Sequence, residues 1–148
     1  MTLLPIKQTL EENDAFAIDP LCNETLAMCI EFYKRVGFNA PWICYYAEEN
    51  DELVGSAAFK GKPVNNTVEI SYGTMEKHRQ QGVGTRICRQ LVELSLATDP
   101  SVRITARTLP ENNYSTRILE KNNFVFIGTV DDPEDGEVWE WEYKNSKP

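Results

Sequence analysis

The chain lacks the marks of a disulfide-stapled, metal-binding or membrane protein. It has a single histidine, His78, and its four cysteines, Cys22, Cys29, Cys44 and Cys88, form no CxxC pair. One histidine without partners at ligand spacing makes no metal site, and cysteines inside apolar-periodic segments behave as small buried hydrophobes. No run approaches the ~20 consecutive apolar residues needed to span a bilayer. Met1-Thr2-Leu3-Leu4-Pro5 also lacks the basic and apolar regions of a secretion signal. The expectation is a soluble, cytoplasmic protein with no membrane partner. Basic residues are in deficit, 15 Lys and Arg against 23 Asp and Glu, for a formal net charge of -8. That balance argues against nucleic acid as a partner, because phosphate neutralisation needs clustered cations; an acidic surface suits cationic substrates such as amines. Repeats, low-complexity tracts and linkers are absent too, so residues 1–148 are expected to form one domain.

What is present is a readable order of elements. Asp19 and Pro20 suit an N-cap and first helical residue, and Cys22, Leu26, Cys29, Ile30 and Tyr33 recur at helical spacing until Gly37. Runs from Trp42 to Glu48 and from Leu53 to Lys60 flank the polar turn Glu49-Asn50-Asp51, and a third run, Thr67 to Thr74, completes an antiparallel meander. The period then changes. Val83, Ile87, Cys88, Leu91 and Leu94 mark one face of a long helix ending near Asp99-Pro100, and a strand from Val102 to Arg107 follows. Asn112 can cap a further helix carrying Ile118 and Leu119, before a closing hairpin from Phe124 to Val130 and Val138 to Tyr143. The fold class is therefore α/β (α+β): a mixed, mostly antiparallel sheet with one parallel strand-helix-strand crossover and a C-terminal hairpin.

The most informative segment is Arg79-Gln80-Gln81-Gly82-Val83-Gly84-Thr85, between a strand and the long helix. Glycines let the backbone approach a ligand, and the free N–H groups of a first helical turn attract an anion such as a pyrophosphate. Arg79 and Arg86 add charge that is otherwise unfavourable at a helix start. Taken alone, two glycines at this spacing equally suit a bare strand-to-helix turn. The segment has no lysine followed by Ser or Thr, as a P-loop would, and its spacing is not that of the dinucleotide fingerprint.

The segment resembles the R/Q-x-x-G-x-G/A motif of the GNAT superfamily of acyl-CoA-dependent N-acyltransferases, preceded by Val68 to Thr74 as that fold's central strand. A second stretch, Asn112 to Phe124, is similar to the N-x-x-S-x-x-x-L-E-K-x-G-F signature of the branch containing ribosomal-protein N-terminal acetyltransferases. The resemblance covers about Trp42 to the C-terminus. It implies acetyl-CoA as cosubstrate and an amine acceptor, a protein N-terminus or a small molecule. Backbone amides of Gln81, Gly82, Val83, Gly84 and Thr85 would hold the pyrophosphate with Arg79 nearby, and the pantetheine arm would lie along the strand ending at Thr74, faced by Asn112 and Ser115. Acceptor specificity would come from about Asp19 to Pro41. Oligomeric state is left open, a homodimer included.

An amine must lose a proton before attack, since an alkylammonium has a pKa near 10.4. Glu69, in an otherwise apolar and aromatic run, is the sequence's candidate acceptor of that proton, directly or through water; a solvent-facing Glu69 on an alternating strand is the alternative. Many relatives carry a tyrosine, the acid for the departing thiolate, where this chain has Leu119, and leucine donates no proton. Ser115 is the substitute, with Tyr114 in reserve. This departure keeps open a CoA-binding module without turnover. The family glycine before the last aromatic is Asn123 here, which tolerates the left-handed conformation common after a helix. His78 is expected at the surface or on a phosphate. Trp139 and Trp141 alternating with Glu140 and Glu142 are expected to give one buried and one solvated face.

Overall fold

Short polar signals set the turns, and the strands pair around them. Asn50 and Asp51 both adopt positive φ, 52° and 62°, the two-residue geometry that matches the twist of a hairpin, so β2 (Cys44–Glu49) folds back onto β3 (Glu52–Phe59). Gly37 ends α2 (Asn23–Val36) and donates its N–H to the Tyr33 carbonyl. A computed structural model describes residues 1–17 and 22–144; the expected cap at Asp19 and Pro20 lies outside the described residues. β4 (Thr67–Thr74), α3 (Val83–Thr98), β5 (Arg103–Thr108), α4 (Tyr114–Lys121), β6 (Phe124–Asp132) and β7 (Gly136–Tyr143) complete the order read from the sequence. Among the strands and α-helices, two were not foreseen: β1 (Thr2–Pro5) and the single turn α1 (Asp14–Ala17).

The strands form one sheet in the order β1-β2-β3-β4-β5-β7-β6. All neighbours are antiparallel except β4 and β5, the expected crossover through α3. α3 covers one face, and its Ile87 and Leu91 are buried in the same core as Phe59, Ile70 and Ile104. α2 covers part of the other: the Tyr46 hydroxyl donates to the Cys22 carbonyl at 3.0 Å, and the Tyr33 hydroxyl donates to the Ile6 carbonyl and accepts from the Cys44 N–H. No disulfide joins the described cysteines, and burial pushes the Cys88 thiol up to about 12.

Beyond α2 the same face carries charge. Glu69 pairs with Lys60, Arg107 with Asp132 and Glu140, and Arg103 with Glu142. This corrects the simple alternation expected in β7. Trp141 is buried and its Nε1 donates to Thr108 Oγ1 at 3.1 Å. Glu142 is also buried, at 7% exposure, beneath Arg103 and Lys144. An ion pair with two cations lets a carboxylate leave water. A second correction concerns α4, which Asn113 caps rather than Asn112. The Asn113 side chain accepts from the Thr116 N–H, and Thr116 Oγ1 accepts from the Asn113 N–H.

Candidate active site

The sheet opens where β4 and β5 part. Their parallel ladder runs from Thr67↔Arg103 to Ile70↔Ala106 and stops there, although β4 continues to Thr74 and β5 to Thr108. Backbone groups point alternately to the two sides of a strand. The Glu69 carbonyl accepts from the Lys60 N–H, just past the end of β3, and the Met75 N–H donates to the carbonyl of Val54 on β3. The backbone groups of Tyr72 and Thr74, of opposite parity, therefore face away from β3, into the opening. Such N–H groups are placed to hydrogen-bond an oxyanion that forms there.

After Thr74 the chain makes a 3-10 turn, Glu76–His78, and two left-handed residues, Gln80 at φ 63° and Gly82 at φ 76°, swing it into α3. The first N–H groups of α3 thus stand beside the end of β4 without partners within the helix. The two glycines have different uses. Gly82 supplies the left-handed N-cap. Gly84 supplies space: a Cβ there would lie 2.6 Å from Ile118 Cδ1 and 3.3 Å from Thr74 Oγ1, so its hydrogen lets α3, α4 and β4 close on one another. Gly84 therefore has a packing use in addition to the ligand approach expected from the sequence.

A cavity of about 500 Å³ lies in the resulting cleft. Tyr72, Gly73 and Thr74 line it from β4, Arg79 and Gln80 from the loop, and Tyr114, Ser115, Arg117 and Ile118 from α4. The Tyr72 hydroxyl donates to the Ser115 carbonyl at 3.4 Å across it, and burial pushes the Tyr72 phenol up, keeping it protonated. Arg79 and Arg117 have no ion-pair partner among the described residues, although the chain is acidic overall. Two unpaired guanidiniums beside a helix N-terminus fit the phosphates of a nucleotide-tailed ligand. Arg86 does otherwise. Its guanidinium donates two bonds of 2.8 Å to the Glu49 carboxylate and one of 3.0 Å to the Gln81 carbonyl, so it ties the loop to the β2–β3 hairpin and holds the Glu49 carboxyl below its usual range.

A second cavity, of about 790 Å³, lies on the α2 side of the same strand end. Thr25 of α2, Tyr46 of β2 and Ser56 of β3 line it together with Glu52 and the Met75–His78 turn, and it too touches Gly73 and Thr74. Of the residues the sequence singled out, Thr74, Arg79 and Ser115 are brought together at the first cavity, with Gln81 to Thr85 forming the adjoining helix entrance. Asn112 is exposed on the approach to α4. Glu69 lies apart, lining a third pocket with its carboxylate 3.0 Å from Lys60 Nζ. The reading missed Tyr72, Gln80 and Arg117; a tyrosine on the central strand and an arginine between cap and Leu119 were the available signals. Asn123 takes φ 66°, as expected.

This combination of a splayed parallel pair, an open helix start and two cavities meeting at one strand end is that of an acyltransferase of the GNAT type. The chain belongs to that family: the model for the acetyltransferase (GNAT) domain matches residues 8–125. It is 34% identical over 90 residues to the uncharacterized N-acetyltransferase YjdG of Bacillus subtilis (strain 168), covering 60% of this chain and 52% of that one. The chain thus spans about half the length of that curated relative. Among solved structures it resembles the aminoglycoside acetyltransferase AAC(6')-Ib in complex with coenzyme A, with a TM-score of 0.59 and 28% identity over 68% of this chain and 64% of that one. RimL, a ribosomal-protein α-N-acetyltransferase also solved with coenzyme A, gives a TM-score of 0.62 at 18% identity over 80% and 68% of the two chains, a likeness of fold. No helix among the described residues is long and apolar enough to cross a membrane, and no cluster of potential metal ligands occurs among them.

Proposed function

We propose that the chain is an acyl-CoA-dependent N-acetyltransferase, moving the acetyl group of acetyl-CoA to a primary amine by direct attack in a ternary complex. The observation that carries this reading is that two cavities on opposite sides of β4 share Gly73 and Thr74, at the place where β4 leaves β5. One cavity holds each substrate. The pyrophosphate sits on the N–H groups at the start of α3, near Gln81 to Thr85, with Arg79 and Arg117 beside it. The pantetheine arm runs past Thr74 and Ser115, with Asn112 at its mouth. The thioester carbonyl then accepts from the Tyr72 or Thr74 N–H, and the amine reaches it from the α2 side.

Ser115 is the hydroxyl proposed to hydrogen-bond the departing sulfur. Leu119 is fully buried and lines neither cavity, so a tyrosine side chain is not simply missing from the cleft wall at that place. Glu69 is less suited to accept the amine's proton directly. Its carboxylate is engaged by Lys60 and Arg107, and Tyr72 lies three residues on, about 10 Å along a strand. The acceptor class follows the size of the second cavity, which admits a small-molecule amine or the end of a peptide; cytoplasmic residence suits both.

Acetyl-CoA titrated into the protein by calorimetry, followed by thiol release with a panel of primary amines, tests this. Binding with amine-dependent thiol release is expected. Binding without release from any amine would instead favour the CoA-binding module without turnover.

A further inference from the structure

The α2-side cavity contains a group that acyl transfer needs and the sequence reading left elsewhere. His78 is the chain's only histidine, and its side chain is 13% exposed within that cavity. Its Nε2 is buried and faces Glu52 Oε2 at 3.3 Å, within ion-pair distance. Glu52 thus stands at the ring nitrogen that is closed to the cavity, which leaves Nδ1 as the nitrogen open to a ligand. The wall it occupies also includes Gly73 and Thr74, the residues shared with the cofactor cleft.

Resting on the acyl-transfer reading, we propose that His78 is the residue that takes the proton from the acceptor ammonium, and that Glu52 is a positioning residue for its imidazole. An imidazole suits this, being the side chain that is readily neutral near pH 7 and able to accept a proton. The ammonium gives one N–H proton to Nδ1, the ring nitrogen not closed off by Glu52, and the freed lone pair attacks the thioester carbonyl carbon. The C–N bond forms, the C–S bond breaks, the second nitrogen proton goes to the departing sulfur, and the imidazolium returns its proton to water. Several charges surround the imidazole. Glu52 comes from β3 and also binds Lys77 Nζ at 2.7 Å; Lys77 and Glu76 belong to the same turn as His78; Glu49 of β2 adds a more distant carboxylate that Arg86 of α3 engages. The turn is held independently by the His78 N–H, which donates to the Met75 carbonyl at 2.8 Å.

The test is the pH dependence of kcat/KM for a primary alkylamine with wild type, His78→Gln and His78→Asn, with acetyl-CoA affinity measured for each. Both variants are expected to bind acetyl-CoA as wild type does, while kcat at pH 7 falls on the order of 100-fold, the loss typical of a general base. Wild type is expected to hold a plateau through neutral pH. The variants, able to use only amine that is already neutral, should climb about tenfold per pH unit toward the alkylamine pKa of ~10.4. Free imidazole should restore part of the rate to His78→Ala. Variants that keep the wild-type plateau, or that lose acetyl-CoA binding with activity, overturn the inference, as does a Glu69→Gln variant showing the climbing profile alone. Absence of turnover in wild type with any amine overturns the underlying reading instead, a different and recognisable result.

Discussion

Gly84 shows how one missing side chain joins the fold to the site. A methyl group there meets Ile118 Cδ1 at 2.6 Å and Thr74 Oγ1 at 3.3 Å. Gly84→Ala is therefore expected to lower unfolding free energy by about 1–3 kcal/mol, the usual cost of overpacking, and Ile118→Val should return part of it; denaturant midpoints of the two single variants and the double variant decide this. Arg79, which lines the first cavity, is proposed to act on ligand rather than fold. Arg79→Glu is expected to weaken acetyl-CoA at least tenfold, about 1.4 kcal/mol, with the melting temperature unchanged, and calorimetry reads the difference. At this scale the sequence already named Thr74, Arg79 and Ser115, which the fold gathers at one cavity, because glycines and an arginine in a loop signal local backbone and charge needs. It could not tell that Arg86 would find Glu49, 37 residues earlier, or that Glu69 would be claimed by Lys60. Those are partnerships of the folded sheet, and no local spacing encodes them.

The elements were legible in proportion to their length and pattern. β4 was read with its boundaries, Thr67 to Thr74, and α3 ends at Asp99 as its Asp-Pro pair indicates. β1 escaped because it has only four residues, ends in proline and lies at the sheet edge, where pairing with β2 rather than propensity makes it a strand. The cap of α4 was misplaced by one residue because Asn112 and Asn113 are equally good caps in isolation; the reciprocal bond with Thr116 selects Asn113. Asn113→Ala should cost about 1 kcal/mol, and Asn112→Ala, with an exposed side chain, much less; thermal melts of both variants separate them. Least legible was the place where β4 and β5 part. Both runs are strand-like to their ends, and only the sheet's register shows that pairing stops at Ile70↔Ala106.

For the molecule as a whole, the acidic charge is organised rather than spread. Carboxylates of the open face and the β2–β3 hairpin are held below their usual range by partners: Glu142 chiefly by Arg103, Glu49 chiefly by Arg86, and Asp132 chiefly by the Glu134 N–H and then Arg107. A carboxylate more acidic in the folded state adds stability that is complete above its unfolded pKa, ~4.3 for Glu, and is lost as pH falls through the lower folded value. Stability should accordingly drop below about pH 4, and Glu142→Gln should flatten part of that drop in chemical denaturation across pH. The central claim, that this architecture carries an acetyl group from CoA to an amine, is met most directly by mass spectrometry after incubation with deuterium-labelled acetyl-CoA and the amine panel. The expected result is labelled amide formed in step with free CoA, only when protein and amine are both present, and with no label left on the protein. Acetyl-CoA that binds yet labels no amine, or label that appears first on a protein side chain, would contradict it.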